Sequence, residues 1–259
     1  MNYKPILIVA GEPNSIFSEI FFKTLQKEKY KSPLIIIGSF KVLYLQMKKL
    51  KFRKKFFRID LKNINLSKIN NKSINIIDVD YKQSKAFDKI SNKSKTYINN
   101  CYKIALNLIN QGFSNKLVTG PISKKNYLNK KYLGITEYLA NRTKTKKFAM
   151  LIYNKNLSVV PITTHLPIKL VSKQLSKREI INKIELVYYF YKNYLKKTPN
   201  IAVTGLNPHC ESIHKFNEDL KILKPSISYL KNKKLKVSGP FSADTIFLKN
   251  NRKKFDIIV

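Results

Sequence analysis

Apolar runs that each end in a glycine constrain the fold of this chain more than any other feature. The residues from Pro5 to Ala10 are followed by Gly11-Glu12-Pro13, and a second run from Pro33 to Ile37 is followed by Gly38. Short, continuously apolar segments are typical of buried parallel strands. Amphipathic helical spacing recurs between such segments. The predicted helices are 16–27, 40–50, 93–111, 176–196 and 216–223. Further strands are predicted at 74–79, 116–119, 148–153, 157–162, 199–205, 235–239 and 255–259. This alternation predicts a mostly parallel α/β fold.

Two short motifs predict helix starts near polar groups. After the strand at 116–119 comes Gly120-Pro121, and Ser123 can cap a new helix. Its free backbone N–H groups, with Lys124 beside them, would favour an anion, although an ordinary capped helix explains the motif equally well. In the segment Gly134-Ile-Thr-Glu137 we predict that Thr136 is the N-cap and that Glu137 lies in the first helical turn.

The net charge of +36 over 259 residues raises the question of a nucleic-acid partner. The lysines are spread evenly between Lys4 and Lys254 and occur with abundant Asn and Ile. Even spacing indicates a compositional bias and solvated charge rather than a binding arm, so we expect no nucleic-acid partner. Such a field would still favour anionic small molecules.

Cysteine usage and hydropathy bear on the compartment. Cys101 and Cys210 are too few and too far apart for a disulfide framework, and Cys101 lies in a helical apolar pattern typical of a core. No signal peptide or membrane-spanning segment is visible. The sequence therefore predicts a cytoplasmic protein without a membrane partner.

The three histidines are the strongest candidates for chemistry. His165 lies in Thr163-Thr-His-Leu-Pro167 and His209 in Asn207-Pro-His-Cys-Glu211, each after an apolar, β-rich run. Ligands collect at the carboxyl ends of strands in α/β proteins, so the two imidazoles could hold a divalent metal there. On spacing alone, a loop hydrogen bond made by each histidine remains the alternative.

Six motifs in one order carry a family resemblance. They contain five of the seven glycines and are Gly11-Glu-Pro13, Thr119-Gly-Pro-Ile-Ser-Lys124, Gly134-x-Thr-Glu137, Thr163-Thr-His-Leu-Pro167, Gly205-Leu-Asn-Pro-His209 and Gly239-Pro-x-x-Ala-Asp-Thr245. Each is weak alone, but together they span almost the whole chain. The chain resembles the 4-hydroxythreonine-4-phosphate dehydrogenase family of pyridoxal phosphate biosynthesis.

This resemblance implies a fold like that of isocitrate and isopropylmalate dehydrogenases, with residues 1–259 forming one continuous, two-lobed α/β unit. It implies a homodimer that uses NAD and one divalent cation (Zn, Mg or Co) to oxidise and decarboxylate a small phosphorylated amino acid, 4-phosphooxy-threonine. The product would be 3-amino-2-oxopropyl phosphate. A G-x-G-x-x-G dinucleotide fingerprint is absent from the sequence, as the resemblance implies.

The resemblance also implies site residues. His165 and His209 match two of three histidines that hold the metal, and Thr136 matches a substrate-binding residue. Lys124 is a further candidate for substrate binding, and Asp244 is a candidate carboxylate in the cleft or a helix N-cap. His214 matches a different histidine and is not expected to be a ligand. The third ligand follows a strand that resembles 255–259, so we expect that a C-terminal part of the family fold is missing.

Two departures from the family pattern leave alternatives open. Ile135 stands where the family has a histidine that touches the substrate, and an isoleucine can neither donate a hydrogen bond nor carry a proton. Ser15 and Phe17 replace two glycines in the first loop. The alternatives are a related dehydrogenase that acts on another phosphorylated hydroxy acid, and a truncated, non-catalytic relative.

Overall fold

A computed structural model describes residues 3–27, 29–64, 69–128, 132–210 and 217–259. The chain divides into two compact units, residues 1–132 and residues 133–259. Each unit is built around its own parallel sheet with helices packed against it. The predicted mostly parallel α/β class is confirmed.

The first unit carries a five-stranded sheet in which every pairing is parallel. Its strands are β1 (Ile6–Val9), β2 (Leu34–Gly38), β3 (Phe56–Arg58), β4 (Ile74–Asp78) and β5 (Leu117–Thr119), in the spatial order β3-β4-β2-β1-β5. Its helices are α1 (Phe17–Lys27), α2 (Phe40–Lys49) and α3 (Lys95–Asn110), with a π-helical turn at Lys124–Leu128. The central strand β2 is fully buried, which explains its continuous apolar sequence.

The second unit carries a four-stranded parallel sheet. Its strands are β6 (Ser158–Val159), β7 (Ile201–Thr204), β8 (Val237–Phe241) and β9 (Ile257–Ile258), in the order β6-β9-β7-β8. Its helices are α4 (Ile135–Arg142), α5 (Ile168–Gln174), α6 (Lys177–Tyr194), α7 (Lys224–Asn232) and α8 (Lys249–Arg252), with a π-helical turn at Asp219–Leu223. Helix α6 buries Ile180 and Ile184 against β7 and α7, which forms the core of this unit.

Several sequence predictions of local structure were wrong in detail. The predicted strand at 148–153 reduces to one antiparallel bridge between Ile152 and Val159. Strand β3 was not predicted from the sequence. The predicted N-cap Thr136 is instead the second residue of α4, and Gly134 occupies the cap position with an extended backbone and no side-chain cap.

Other predicted helix ends are confirmed. The backbone N–H of Glu179 donates to Ser176 Oγ at 3.2 Å and starts α6. After α3, Gly112 takes a left-handed φ of 74° as a C-terminal stop. The backbone N–H of Asn126 donates to Ser123 Oγ at 3.2 Å, so Ser123 does cap the turn that follows β5. No helix in the described ranges has the length and apolar character needed to cross a bilayer.

Candidate metal and substrate site

The segments that carry the two candidate metal ligands both follow strands at the same edge of the second sheet. Strand β9 pairs with β6 on one side and with β7 on the other, and its residue Ile258 is level with Val159 and with Ala202. All three strands are parallel, so the segments carrying His165 and His209 emerge at their carboxyl ends, where ligands bind in open α/β sheets. Strands two positions apart are separated by about 10 Å, a gap that two histidine side chains sharing one cation could span.

A cavity of about 290 Å³ lies at this edge and joins the two histidine segments. Thr163 from the first segment and Gly205 and Leu206 from the second line it, together with Ile258 of β9 and Ala243. Both histidines are exposed. In the described ranges neither imidazole ring makes a hydrogen bond, so the alternative of a loop-satisfying histidine gains no support there.

The His165 segment, residues 161–167, is tied to helix α4. Thr164 Oγ1 donates to Glu137 Oε1 at 3.0 Å. The other carboxylate oxygen, Glu137 Oε2, is buried and has no hydrogen-bond partner. A Cβ built on Gly134 would lie 3.1 Å from Glu137 Oε2 and 3.5 Å from His165 Nε2. Gly134 therefore keeps open a small space that borders both the carboxylate and the imidazole.

The His209 segment, residues 205–210, is tied to a different carboxylate. Asp219 is 1% exposed and accepts the backbone N–H of Leu206 at 2.7 Å through Oδ1. Its Oδ2 is buried without a partner. Within the segment, the backbone N–H of His209 donates to Asn207 Oδ1 at 3.1 Å, and Ala243 donates its N–H to the carbonyl of Pro208. The loop thus has a defined shape before any ligand is considered.

Asp244 lies next to the second histidine rather than at a helix N-cap. Ser242 Oγ donates to its carboxylate. This hydrogen bond lowers the pKa of Asp244, and the nearby charge of His209 acts in the same direction. The carboxylate is therefore ionised at neutral pH and can attract a cation or a protonated imidazole.

Left-handed backbone is found in both histidine segments. His165 has a φ of 57° and Cys210 a φ of 59°, whereas the other left-handed non-glycine residues in the described ranges are lysines that follow helices. Non-glycine residues that have a left-handed φ and do not end a helix store about 1–3 kcal/mol of strain and cluster at functional sites. The strain here falls on His165 itself and on Cys210, the residue that follows His209.

The remaining predicted site residues occupy the starts of short helices. Thr136 lies in the first turn of α4, one residue before Glu137. Lys124 is exposed at the start of the π-helical turn after β5, in the first unit. His214 lies outside the described residues.

The first unit has its own loops at the carboxyl edge of its sheet. Glu12 is 2% exposed; Ser94 Oγ donates to its Oε2 at 2.7 Å, and Oε1 has no partner. Burial, and secondarily the charge of Glu12, raises the pKa of Tyr81. A cavity of about 760 Å³ lies beside Tyr81 and is bordered by Asn14, Lys41 and the loop that follows β4. Its lining includes the lysines Lys41, Lys82, Lys85, Lys89 and Lys93.

The sequence did not identify Glu12, Glu137 and Asp219 as site residues, although each has a buried carboxylate oxygen without a partner. Glu12 and Glu137 lie inside glycine-containing motifs, which was an available signal. Asp219 lies on a turn far from any motif, so only the fold reveals that it contacts the His209 segment.

Comparison with known proteins decides the family. The sequence profile described as pyridoxal phosphate biosynthetic protein PdxA matches residues 29–259. The chain belongs to the PdxA family. It is 34% identical over 265 residues to the 4-hydroxythreonine-4-phosphate dehydrogenase of Sulfurihydrogenibium sp. (strain YO3AOP1), and the match covers 98% of this chain and 78% of that relative.

Other PdxA-like proteins give a consistent picture. The D-threonate 4-phosphate dehydrogenase of Salmonella typhimurium is 28% identical over 268 residues, covering 100% of this chain and 81% of that protein. The crystal structure of 4-hydroxythreonine-4-phosphate dehydrogenase from Klebsiella pneumoniae superposes with a TM-score of 0.83 at 26% identity, covering 99% of this chain and 81% of that one. The predicted family resemblance is confirmed.

Proposed function

We propose that this PdxA-family chain is an NAD-dependent dehydrogenase that oxidises and decarboxylates 4-phosphooxy-threonine to 3-amino-2-oxopropyl phosphate in pyridoxal phosphate biosynthesis. Membership of the family and the dehydrogenase names of its relatives support this. The observation that carries it is the position of His165 and His209, which leave the same sheet edge on either side of β9.

A divalent cation fits these residues by the chemistry of its donors. Two exposed imidazoles supply nitrogen ligands, which suit zinc or cobalt better than magnesium. No group of three or more His, Cys, Asp or Glu side chains suited to a metal occurs in the described ranges, so His165 and His209 would supply only part of the ligand set.

The reaction removes a hydride from the carbinol carbon of the substrate and a proton from its hydroxyl group, and the resulting β-keto acid loses carbon dioxide. When bound, the cation lowers the pKa of the substrate hydroxyl and stabilises negative charge on its oxygen. His165 and His209 would hold the cation through one ring nitrogen each. Thr136 would form a hydrogen bond with the substrate through its hydroxyl group, and Lys124 would attract the phosphate through its positive charge. Asp244 remains ionised beside His209.

NAD accepts the hydride, and the first unit offers a site that suits its charge. The lysine-lined cavity of about 760 Å³ borders segments that follow the carboxyl ends of β1, β2 and β4. Lys41 and Lys82 there would neutralise a pyrophosphate without a glycine-rich fingerprint. Replacing both by alanine should raise the KM for NAD several-fold and leave the KM for the phosphorylated substrate unchanged.

The protein is proposed to act as a cytoplasmic homodimer, as the family resemblance implies. Analytical ultracentrifugation tests the dimer, since a monomer at micromolar concentration would contradict it. Turnover is tested by following NAD reduction with 4-phosphooxy-threonine in the presence of zinc or cobalt. NADH formation that a chelator abolishes is expected, whereas no NADH formation with metal-loaded protein would refute the proposal.

A second substrate is favoured by one residue and one relative. Ile135 removes the hydrogen-bonding group that the family places next to Thr136, and the Salmonella relative is named for D-threonate 4-phosphate. That acid has a hydroxyl group where 4-phosphooxy-threonine has an amino group. Comparing kcat/KM for the two acids decides between them, and a ratio of tenfold or more in either direction identifies the substrate.

A further inference from the structure

One oxygen of the Glu137 carboxylate accepts a hydrogen bond, and the other has no partner. Its Oε1 accepts the hydroxyl of Thr164, the residue immediately before His165. Its Oε2 is buried and has no hydrogen-bond partner. Burying a carboxylate oxygen without a donor is unfavourable, so such an atom calls for an explanation.

The imidazole of His165 lies near this oxygen. Glu137 Oε2 and His165 Nε2 both lie within 3.5 Å of the point where a Cβ on Gly134 would sit. Since residue 134 is glycine, no side chain separates the two atoms. Gly134 has an extended backbone, with φ −161°, which any residue can adopt, so this position does not require glycine for its backbone conformation.

We propose that Glu137 is a positioning residue that fixes the tautomer of His165. In the described residues Oε2 and Nε2 are close to the same point but not hydrogen-bonded; a small rotation of either side chain would let Oε2 accept the proton of Nε2, so that Nδ1 carries the lone pair and is the nitrogen that binds the cation. A carboxylate behind a ligating histidine orients the ring and raises the basicity of the ligand. The inference rests on the proposed metal site, but the tautomer of His165 can be measured without a metal.

The contact with Thr164 makes the substitution Glu137→Gln unusually informative. A glutamine that keeps its carbonyl oxygen at the Oε1 position still accepts the Thr164 hydroxyl, as Glu137 does, and places its NH₂ group at the Oε2 position. An acceptor facing His165 is thereby replaced with a donor. Nε2 would then accept a hydrogen bond, and the proton would move to Nδ1, where it blocks the cation.

The test combines a tautomer measurement with metal titration. Long-range ¹H–¹⁵N spectra at about pH 8, where free imidazole is neutral, report which nitrogen of each histidine carries the proton. The chain has three histidines, so the His165 signals can be assigned by their loss in His165→Asn. Cobalt or zinc titration of the full-length protein then gives the metal affinity of each variant.

We expect the Nε2–H tautomer of His165 in the wild type, a shift toward Nδ1–H in Glu137→Gln, and a 10- to 100-fold weaker metal affinity in that variant. Glu137→Asp should recover part of both effects. Glu179→Gln is the matched control, because it removes the same charge from an exposed position of α6 in the same unit, and it should change neither readout.

The outcomes separate this inference from the proposed function. If the wild type binds metal and Glu137→Gln leaves both the tautomer and the affinity unchanged, the positioning role is refuted and the metal site stands. If the wild type binds no metal, the proposed function fails, and the tautomer shift alone decides the role of Glu137. An Nδ1–H tautomer in the wild type overturns the inference in either case.

Discussion

The two histidine segments of the second unit are built differently although they leave the same sheet edge. The His209 segment is fastened through its backbone, with the N–H of Leu206 on buried Asp219 and the N–H of His209 on Asn207. The His165 segment meets its carboxylate through a side chain, from Thr164 to Glu137. Backbone fastening fixes the path of a loop, whereas a side-chain contact leaves its path adaptable. The His209 segment is thus held through two backbone donors, whereas the His165 segment is held through the Thr164 side chain and the carbonyl of Ile162, which accepts Lys183 Nζ.

The largest predicted effect concerns catalysis and should be the same for both segments. If His165 and His209 hold one cation, replacing either by alanine removes a Lewis acid that contributes several kcal/mol, so kcat/KM should fall by about 1,000-fold or more. NAD reduction measures the loss. A variant of one histidine that keeps wild-type turnover would show that the two segments do not share a role.

Stability should distinguish the two carboxylates. Asp219→Ala removes a buried side chain and leaves the N–H of Leu206 without its acceptor, so it should lower the free energy of unfolding by about 1–3 kcal/mol. Glu137→Ala removes a contact between two partly exposed side chains and should lower it by less than about 1 kcal/mol. Urea unfolding of the metal-free proteins gives both values. Equal losses would contradict the difference in fastening.

Alanine at the two glycines should sharpen the same comparison. A Cβ at Gly205 would lie 2.6 Å from Cys210 Sγ and 2.9 Å from the carbonyl oxygen of Asn207, so Gly205→Ala must displace the backbone of the second segment. Such overpacking is unfavourable by about 1–3 kcal/mol. At Gly134 the nearest atom would be Glu137 Oε2 at 3.1 Å, at the end of a side chain that can move. Thermal unfolding should show a smaller decrease in Tm for Gly134→Ala than for Gly205→Ala.

The smallest predicted effect is a difference in thiol reactivity. Cys101 is buried in α3, and burial raises the pKa of its thiol to about 12, so it should not react with iodoacetamide in the folded protein. Cys210 is partly exposed beside His209 and should react. Bound cation should slow its modification by a few-fold, which mass spectrometry can follow with Cys101 as the internal reference. Rapid labelling of Cys101 in folded protein would be inconsistent with the described core.

The fold was predictable because its signals are local. The run from Pro33 to Ile37 is apolar on both faces of its strand, which only a buried parallel strand requires, and Gly112 ends α3 where the sequence predicts. Strand β3 was missed because Phe56–Arg58 is short and lies at the sheet edge, where alternation is weak. Thr136 was assigned as a cap because its hydroxyl group suits that position, although Gly134 takes it.

The site was only partly predictable. Strand ends followed by turns identified His165 and His209, since the chemistry of a metal ligand is visible in one residue. The supporting carboxylates depend on contacts between distant segments, such as Thr164 with Glu137 across 27 positions. Local patterns carry no information about such contacts, so the role of Asp219 had to come from the fold.

Metal titration of four full-length proteins tests the central claim most directly. The wild type, His165→Ala, His209→Ala and the double variant are titrated with cobalt, and the visible absorption of the bound ion reports its ligands. We expect one cation per wild-type chain, a large loss of cobalt affinity in each single variant and little further loss in the double variant. Undiminished binding in either single variant would contradict the claim that His165 and His209 share one ion.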